Sequence, residues 1–434
     1  MLWSILTILF LIHLHPVHPE KLNNNIQNDE VITLIDITSN IVKGFYKIII
    51  KNVGVNPVES YKIELREEAL VNFMNNANQK LPHETIQKST TNCTTYMIKL
   101  DKALLLNEKY KLLINLTFLS ELVPAAKHSR YNEEHSFLFK ANRLFYSEYF
   151  TVKHRCILLT NPSFNRNIEV SAAYDSIGTN MLNFREEYIK PHSYDELIIM
   201  FTTPIPILKV KTLNRNIFIS NFGKIMVQDQ VVVENTGPKL QGPYFNNQSD
   251  YWMYTHLPSS AEDIALSDVI GTNLKTYLYE NNGTKTLKFI PRYSLRQGGW
   301  KSTYTLRYNI PVYEYIFKDQ THYYIKIRAM DHILNDVLVE DADVNIILPD
   351  GASVVDVFVP LGFQRGSTTN IYTSLSVSGR PMVNLRGRHL IEEHIADVVV
   401  KYNFSLFSFL SAPFYIVFLL ESILFLIILL RKYS

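Results

Sequence analysis

Phe407 to Leu430 form an apolar-dominated run at the carboxyl end of the chain, closed by Arg431, Lys432, Tyr433 and Ser434. At about 1.5 Å per residue, a helix of that length reaches about 36 Å, enough to cross a hydrocarbon core of about 30 Å with some tilt. The run predicts a transmembrane helix over 405–430 and a cytosolic tail over 431–434, because positive charge beside a span stays in the cytosol. Everything before it must then fold on the other side of the membrane. Leu2 to Leu14 agree with this plan: the stretch is apolar, uncharged and too short to span, as in the hydrophobic part of a secretory signal, and residues 1–19 are read as that signal. The expectation is a single-pass type I protein whose bulk is lumenal or extracellular.

Charge excludes one class of partner. With 43 basic and 41 acidic residues the chain has no field to steer nucleic acid, and none is expected as a ligand. A chain of 434 residues that is 47% hydrophobic can bury large cores, and the sequence divides into two lumenal domains, 20–213 and 214–404. Cys93 and Cys156 are the two cysteines. In a disulfide-permissive compartment they either bridge or remain two buried thiols, and spacing alone does not choose between these.

The secretory route gives N-x-S/T triplets a meaning. They occur at Asn92, Asn115, Asn247, Asn282 and Asn403. Asn247 and Asn282 lie in turn-like polar strings, Asn92 and Asn115 are further candidates, and Asn403 stands too close to the span for a modifying enzyme to reach.

Periodicity along the body is mostly two, the mark of half-buried strands. Tyr323, Ile325 and Ile327 alternate with Tyr324, Lys326 and Arg328. Val398, Val400, Tyr402 and Phe404 alternate with Asp397, Val399, Lys401 and Asn403. Turn punctuation recurs at Lys51 to Pro57, Glu234 to Pro243 and Leu348 to Ala352. One helix is expected around Arg66 to Asn76, where REEALVNFMNN is rich in helix formers. Internal similarity points to duplication: IIIKNVG (Ile48 to Gly54) resembles VVVENTG (Val231 to Gly237) at an offset of 183, and YKLLIN (Tyr110 to Asn115) resembles YTLRYN (Tyr304 to Asn309) at an offset of 194. The predicted fold is mainly β: two tandem β-sandwich-like domains followed by one C-terminal transmembrane helix.

Catalytic chemistry is not written in the chain. HLIEEH (His389 to His394) satisfies neither zinc-protease spacing and reads as a polar turn. Asp331, His332 and Asp336 read as a solvated turn after a strand. No metal ligand set, cofactor loop or nucleophile elbow occurs, so no cofactor is expected. Glu421 is the anomaly, since an ionisable group about 13 Å from the end of a span costs at least about 2.5 kcal/mol unless it meets protein or is protonated. With Ser422 beside it, Glu421 is read as a contact for a partner's membrane helix.

RYSLRQGGWKSTYTLRYNIPVYEYIF (Arg292 to Phe317) resembles the ribophorin I family, the large single-span subunits of the oligosaccharyltransferase complex. Further blocks follow in the same order: Asn221 to Tyr244, Leu257 to Gly271, Ile325 to Ala352, Gly379 to Val383 and His394 to Ser405. The first domain is similar chiefly at Phe137 to Lys153. The resemblance implies a non-catalytic subunit in the endoplasmic reticulum membrane. Its partners would be the multi-span catalytic subunit, small membrane subunits and the nascent polypeptide. The complex transfers an oligosaccharide from dolichyl diphosphate to Asn of N-x-S/T. Animal members continue past the anchor into a cytosolic extension associated with ribosome contact. This chain ends at Ser434, so docking through such a tail is not expected. A type I cell-surface receptor or adhesion protein would share the same plan, and a membrane-tethered hydrolase would need a site assembled from distant residues.

Overall fold

The computed structural model of the protein describes residues 25–433 apart from 66–68, 89–93, 120–121, 132, 162–167, 177–179, 221–222, 244–250, 273–274, 282 and 373–378. The expected signal, 1–19, lies outside the described residues. Strands dominate, as the period-two pattern requires; apart from a two-residue pair, His128–Ser129 with Lys239–Leu240, those of the described residues fall into two runs of fourteen.

The first run comprises β1 (Ile26–Asp36), β2 (Val42–Asn52), β3 (Val58–Leu65), β4 (Ala69–Met74), β5 (His83–Lys88), β6 (Thr94–Leu104) and β7 (Lys109–Phe118). It continues with β8 (Val123–Pro124), β9 (His135–Asn142), β10 (Phe150–Leu159), β11 (Glu169–Val170), β12 (Asp175–Ser176), β13 (Met181–Ile189) and β14 (Glu196–Thr203). The second run begins with β15 (Leu208–Ile219), β16 (Lys224–Asn235), β17 (Met253–Pro258), β18 (Glu262–Ser267), β19 (Thr276–Asn281), β20 (Thr284–Phe289) and β21 (Lys301–Pro311). It ends with β22 (Ile316–Lys318), β23 (Tyr323–Arg328), β24 (Val339–Ile347), β25 (Ser353–Phe358), β26 (Phe363–Ile371), β27 (Arg380–Leu390) and β28 (Asp397–Asn403).

Each run builds three sheets. In the first they are ordered β12-β13-β10-β1-β2-β7-β4, β3-β6-β5 and β11-β14-β9-β8. In the second they are β26-β27-β24-β15-β16-β21-β18, β17-β20-β19 and β25-β28-β23-β22. Adding fourteen to every label of the first set gives the second. Orientation repeats too: β1 runs parallel to β10 and β15 parallel to β24, while their other neighbours, β2 and β16, are antiparallel. So does irregularity, with a register shift at Asn28/Glu30 in β1 and at Val210/Thr212 in β15.

The duplication reaches individual hydrogen bonds. Asn52 ends β2 and Asn235 ends β16, each 1% exposed. Asn52 Oδ1 accepts from the Gly54 amide at 2.9 Å and its Nδ2 donates to the Leu104 carbonyl at 2.8 Å. Asn235 Oδ1 accepts from Gly237 at 2.6 Å and its Nδ2 donates to Leu295 at 2.6 Å. Their carbonyls accept from Asn107 and Gly299, which hold φ of 64° and 78° two residues before β7 and β21. Asn and Gly are the residues that adopt such left-handed turns at least cost. The equivalence also corrects one alignment. Leu112 pairs with Ile48 and Tyr304 with Val231, so the structural offset at β7 and β21 is 192. The sequence match at 194 slid by two residues, which leaves every side chain on its own face and so preserves the pattern.

By contacts the chain groups into two units: residues up to Thr38 with Val42–Glu121 and Phe139–Ile199, and Ser39–Ile41 with Leu122–Leu138 and Met200 onward. The junction expected at 213/214 falls inside β15. In the second unit one apolar core draws on all three sheets, with Leu213, Val231 and Val344 from the largest, Leu257 and Phe289 from the smallest, and Ile325, Ile327, Val398 and Val400 from the third. The two alternating segments read from sequence turn out to be neighbours, with Tyr323 opposite Tyr402, Ile325 opposite Val400 and Ile327 opposite Val398.

The described part of Arg66 to Asn76 is not a helix. Ala69–Met74 form β4, paired along β7 from Ala69↔Phe118 to Met74↔Leu113. Six residues are too few for a stable helix on propensity alone, and a ready partner edge overrides the preference of Ala, Leu and Met. After β28, α1 (Leu406–Tyr433) begins within three residues and runs to the end of the described chain.

Candidate functional site

Three places carry the residues that matter: α1, the asparagines of the N-x-S/T triplets and a buried charge cluster. Phe414–Arg431 of α1 is long and apolar enough to cross a membrane, and none of it is buried within the protein. Apolar side chains face outward on every side, which suits lipid and not a surface helix. Glu421 is exposed on this helix. Ser422 already uses its hydroxyl within the helix, donating to the Phe418 carbonyl at 2.7 Å. It therefore offers an outside group an acceptor rather than a free donor.

Of the sequon asparagines, Asn92, Asn247 and Asn282 lie outside the described residues. Asn115 is half-buried in β7, opposite Phe45 on one side and Asn72 on the other. A strand paired on both edges leaves little room for a glycan. Asn403, exposed, ends β28 and stands just before α1. Cys93 also lies outside the described residues. Cys156 is buried in β10 with no bridge among the described residues, and burial pushes its thiol up to about 12.

The charge cluster was missed in sequence. Asp331 is not in a solvated turn but 3% exposed, and it meets Arg215, itself 1% exposed. Arg215 Nη1 donates to Asp229 Oδ2 at 2.7 Å, and Nη2 donates to Asp331 Oδ2 at 2.8 Å and to the Tyr308 hydroxyl at 3.1 Å. Tyr308 in turn donates to Asp331. Strand register explains the meeting: Arg215 sits opposite Asp229 on adjacent strands, on the inward face shared with Leu213 and Ile217. Burial works against the Arg215 charge, but Asp229 and Asp331 outweigh it and hold the guanidinium protonated. Burial pushes Asp229 up to about 7 despite Arg215. A cluster so enclosed fixes strands and has no face for a substrate. The signal was present: a cation and an anion at inward, apolar-parity positions of two consecutive strands.

The two polar segments considered in sequence also converge. His332 Nε2 lies 3.0 Å from Glu392 Oε1, which accepts the Asp336 amide at 2.8 Å, and the His332 ring packs 4.3 Å from that of His256. Of HLIEEH, His389 and Leu390 end β27 while Glu392–His394 form a 3-10 turn, in which His394 Nδ1 accepts the Ile391 amide. Among the described residues no group of three or more His, Cys, Asp or Glu is set to hold a metal ion.

Comparison with known proteins decides what kind of chain this is. The profile of the family Ribophorin I matches residues 26–431. The chain belongs to the ribophorin I family. Its relatives include the dolichyl-diphosphooligosaccharide–protein glycosyltransferase subunit 1 of Caenorhabditis elegans, 23% identical over 402 residues, which cover 87% of this chain and 67% of the worm protein. Subunit 1A of Arabidopsis thaliana is 24% identical over 335 residues, covering 74% of this chain and 53% of the plant protein. Subunit 1B of the same plant is 23% identical over 415 residues, covering 88% of each. This ribophorin I chain thus spans between about half and nearly all of the relatives it matches. Likeness to solved structures is slight: yeast LTA4 hydrolase aligns with a TM-score of 0.31 and 9% identity over 44% of this chain and 31% of that one, and carries no functional argument.

Proposed function

We propose that this chain is a non-catalytic subunit of an oligosaccharyltransferase, the complex that attaches a preassembled oligosaccharide to Asn of N-x-S/T in nascent polypeptides. The observation that carries the reading is the family match across residues 26–431, which takes in both copies of the β repeat and the apolar helix together. Its relatives are named as subunit 1 of that transferase. In this reading α1 anchors the chain in the endoplasmic reticulum membrane, with Arg431 and Lys432 cytosolic and both β units in the lumen beside the multi-span catalytic subunit. Glu421 meets a neighbouring membrane subunit. Asn92, Asn247 and Asn282 are the chain's own acceptor sites, and any bridge from Cys156 goes to Cys93.

Purification in mild detergent through a tag after Ser434, with mass spectrometry of the bound proteins, tests the assignment. Recovery of the catalytic subunit near one to one supports it. Recovery of the chain alone, or with cell-surface proteins, overturns it in favour of a receptor or adhesion protein.

A further inference from the structure

The position held by the charge cluster in the second unit has a counterpart in the first, and there it lines a cavity. Tyr46 stands six residues before Asn52, as Asp229 stands six before Asn235, and Thr33 is opposite Tyr46 as Arg215 is opposite Asp229. Leu116 pairs with Gly44 as Tyr308 pairs with Val227. Phe145 is the third residue after β9, as Asp331 is the third after β23. Where the later copy has four side chains bonded to one another, Thr33, Tyr46, Leu116 and Phe145 wall a cavity of about 260 Å³.

Its remaining walls are both aromatic and polar. Tyr146 and Tyr194 add rings, Asn142 an amide and Glu64 a carboxylate. The Asn142 side chain is fixed by its Oδ1, which accepts the amides of Leu144 at 3.1 Å and Asp195 at 3.0 Å. Its Nδ2 is buried and has no partner among the described residues. An unmet buried donor costs free energy that an incoming acceptor recovers. Glu64 is loosely held, with Lys62 at 3.5 Å while Lys62 binds Glu148 at 2.8 Å. A carboxylate so placed accepts donors from a guest.

We infer that this cavity of the first unit binds one pyranose ring of a saccharide. A sugar ring offers acceptor oxygens to Asn142, hydroxyl donors to Glu64, and an apolar C–H face to the tyrosine and phenylalanine rings. A phenyl side chain offers neither kind of polar group, and a cavity this small takes one ring rather than several. The inference does not rest on assembly into a transferase: sugar binding by the chain and its recruitment to a complex succeed or fail separately.

The test is saturation-transfer NMR on the full chain in lipid nanodiscs, with the methyl glycosides of glucose, mannose and N-acetylglucosamine as probes and N-acetyl-phenylalanine amide and N-acetyl-tyrosine amide as controls. Asn142→Asp retains an oxygen for the two backbone amides and removes the donor. Ala141→Leu pushes a larger side chain into the cavity. Transfer to at least one glycoside, with affinity about tenfold weaker in both variants at unchanged melting temperature, is the expected result. If one variant fails to fold, the other carries the comparison. Absence of transfer to all three glycosides, or binding undiminished by either change, overturns the inference. Transfer to the amino-acid amides alone overturns it as well and assigns the cavity to aromatic side chains of polypeptides.

Discussion

Arg215 shows how much one residue can decide in a β core. Its guanidinium is held by two carboxylates and a phenol that come from β16, β21 and the segment after β23. Arg215→Met should therefore destabilise the second unit by about 3–5 kcal/mol, because it leaves Asp229 and Asp331 facing each other without a cation. Urea unfolding followed by tryptophan fluorescence measures this, and a loss under about 1 kcal/mol would show that the cluster is dispensable. Asp229→Asn should be milder, since an amide oxygen still accepts from Arg215. It also carries a pH signature. A carboxyl raised to about 7 in the fold, against about 3.9 in an unfolded chain, binds its proton more tightly when folded, so its contribution falls as pH rises from about 4 to about 7. The Asn variant should gain on the wild type across that window, and a constant gap between them would refute the assignment.

At the scale of elements, strands were legible and their partners were not. Alternation in Tyr323–Arg328 and Asp397–Asn403 gave both segments and their buried faces correctly. That they lie side by side is decided by chain topology, which no local pattern encodes. β4 was misread because Ala, Leu, Met and Glu favour helix locally while the edge of β7 favours strand, and the second effect is tertiary. Asn52 and Asn235 were visible only as letters of a repeat, yet each ties off a strand with its amide. Asn52→Ala and Asn235→Ala should each cost about 1–3 kcal/mol, since each leaves a buried carbonyl unmet and takes an acceptor from a half-buried amide. Thermal melts of the two variants provide the check. For α1, Glu421→Leu should weaken recovery of membrane partners about three- to tenfold, as expected of one interhelical hydrogen bond worth about 0.6–1.4 kcal/mol. Undiminished recovery would remove Glu421 from the interface.

Across the whole molecule the repeat is the organising fact. Two short strings hinted at it, and one of them was aligned two residues out of register. The match survived because a slip of two keeps strand faces in phase. What the strings could not reveal is that all three sheets recur strand for strand while the side chains at one shared position diverged, into an ionic clamp in the second copy and a cavity in the first. Divergence of that kind is invisible to pattern matching, since it alters residue types and not periodicity. Only Phe404 and Ser405 separate β28 from α1, a link that spans no more than about 11 Å from Asn403 to Leu406 when taut. β28 is zipped on both edges, to β23 and to β25. A tug on the anchor along that strand therefore loads both ladders in shear, straining their hydrogen bonds together instead of peeling them singly. The tether is attached to an inner strand, where pulling must break two ladders at once.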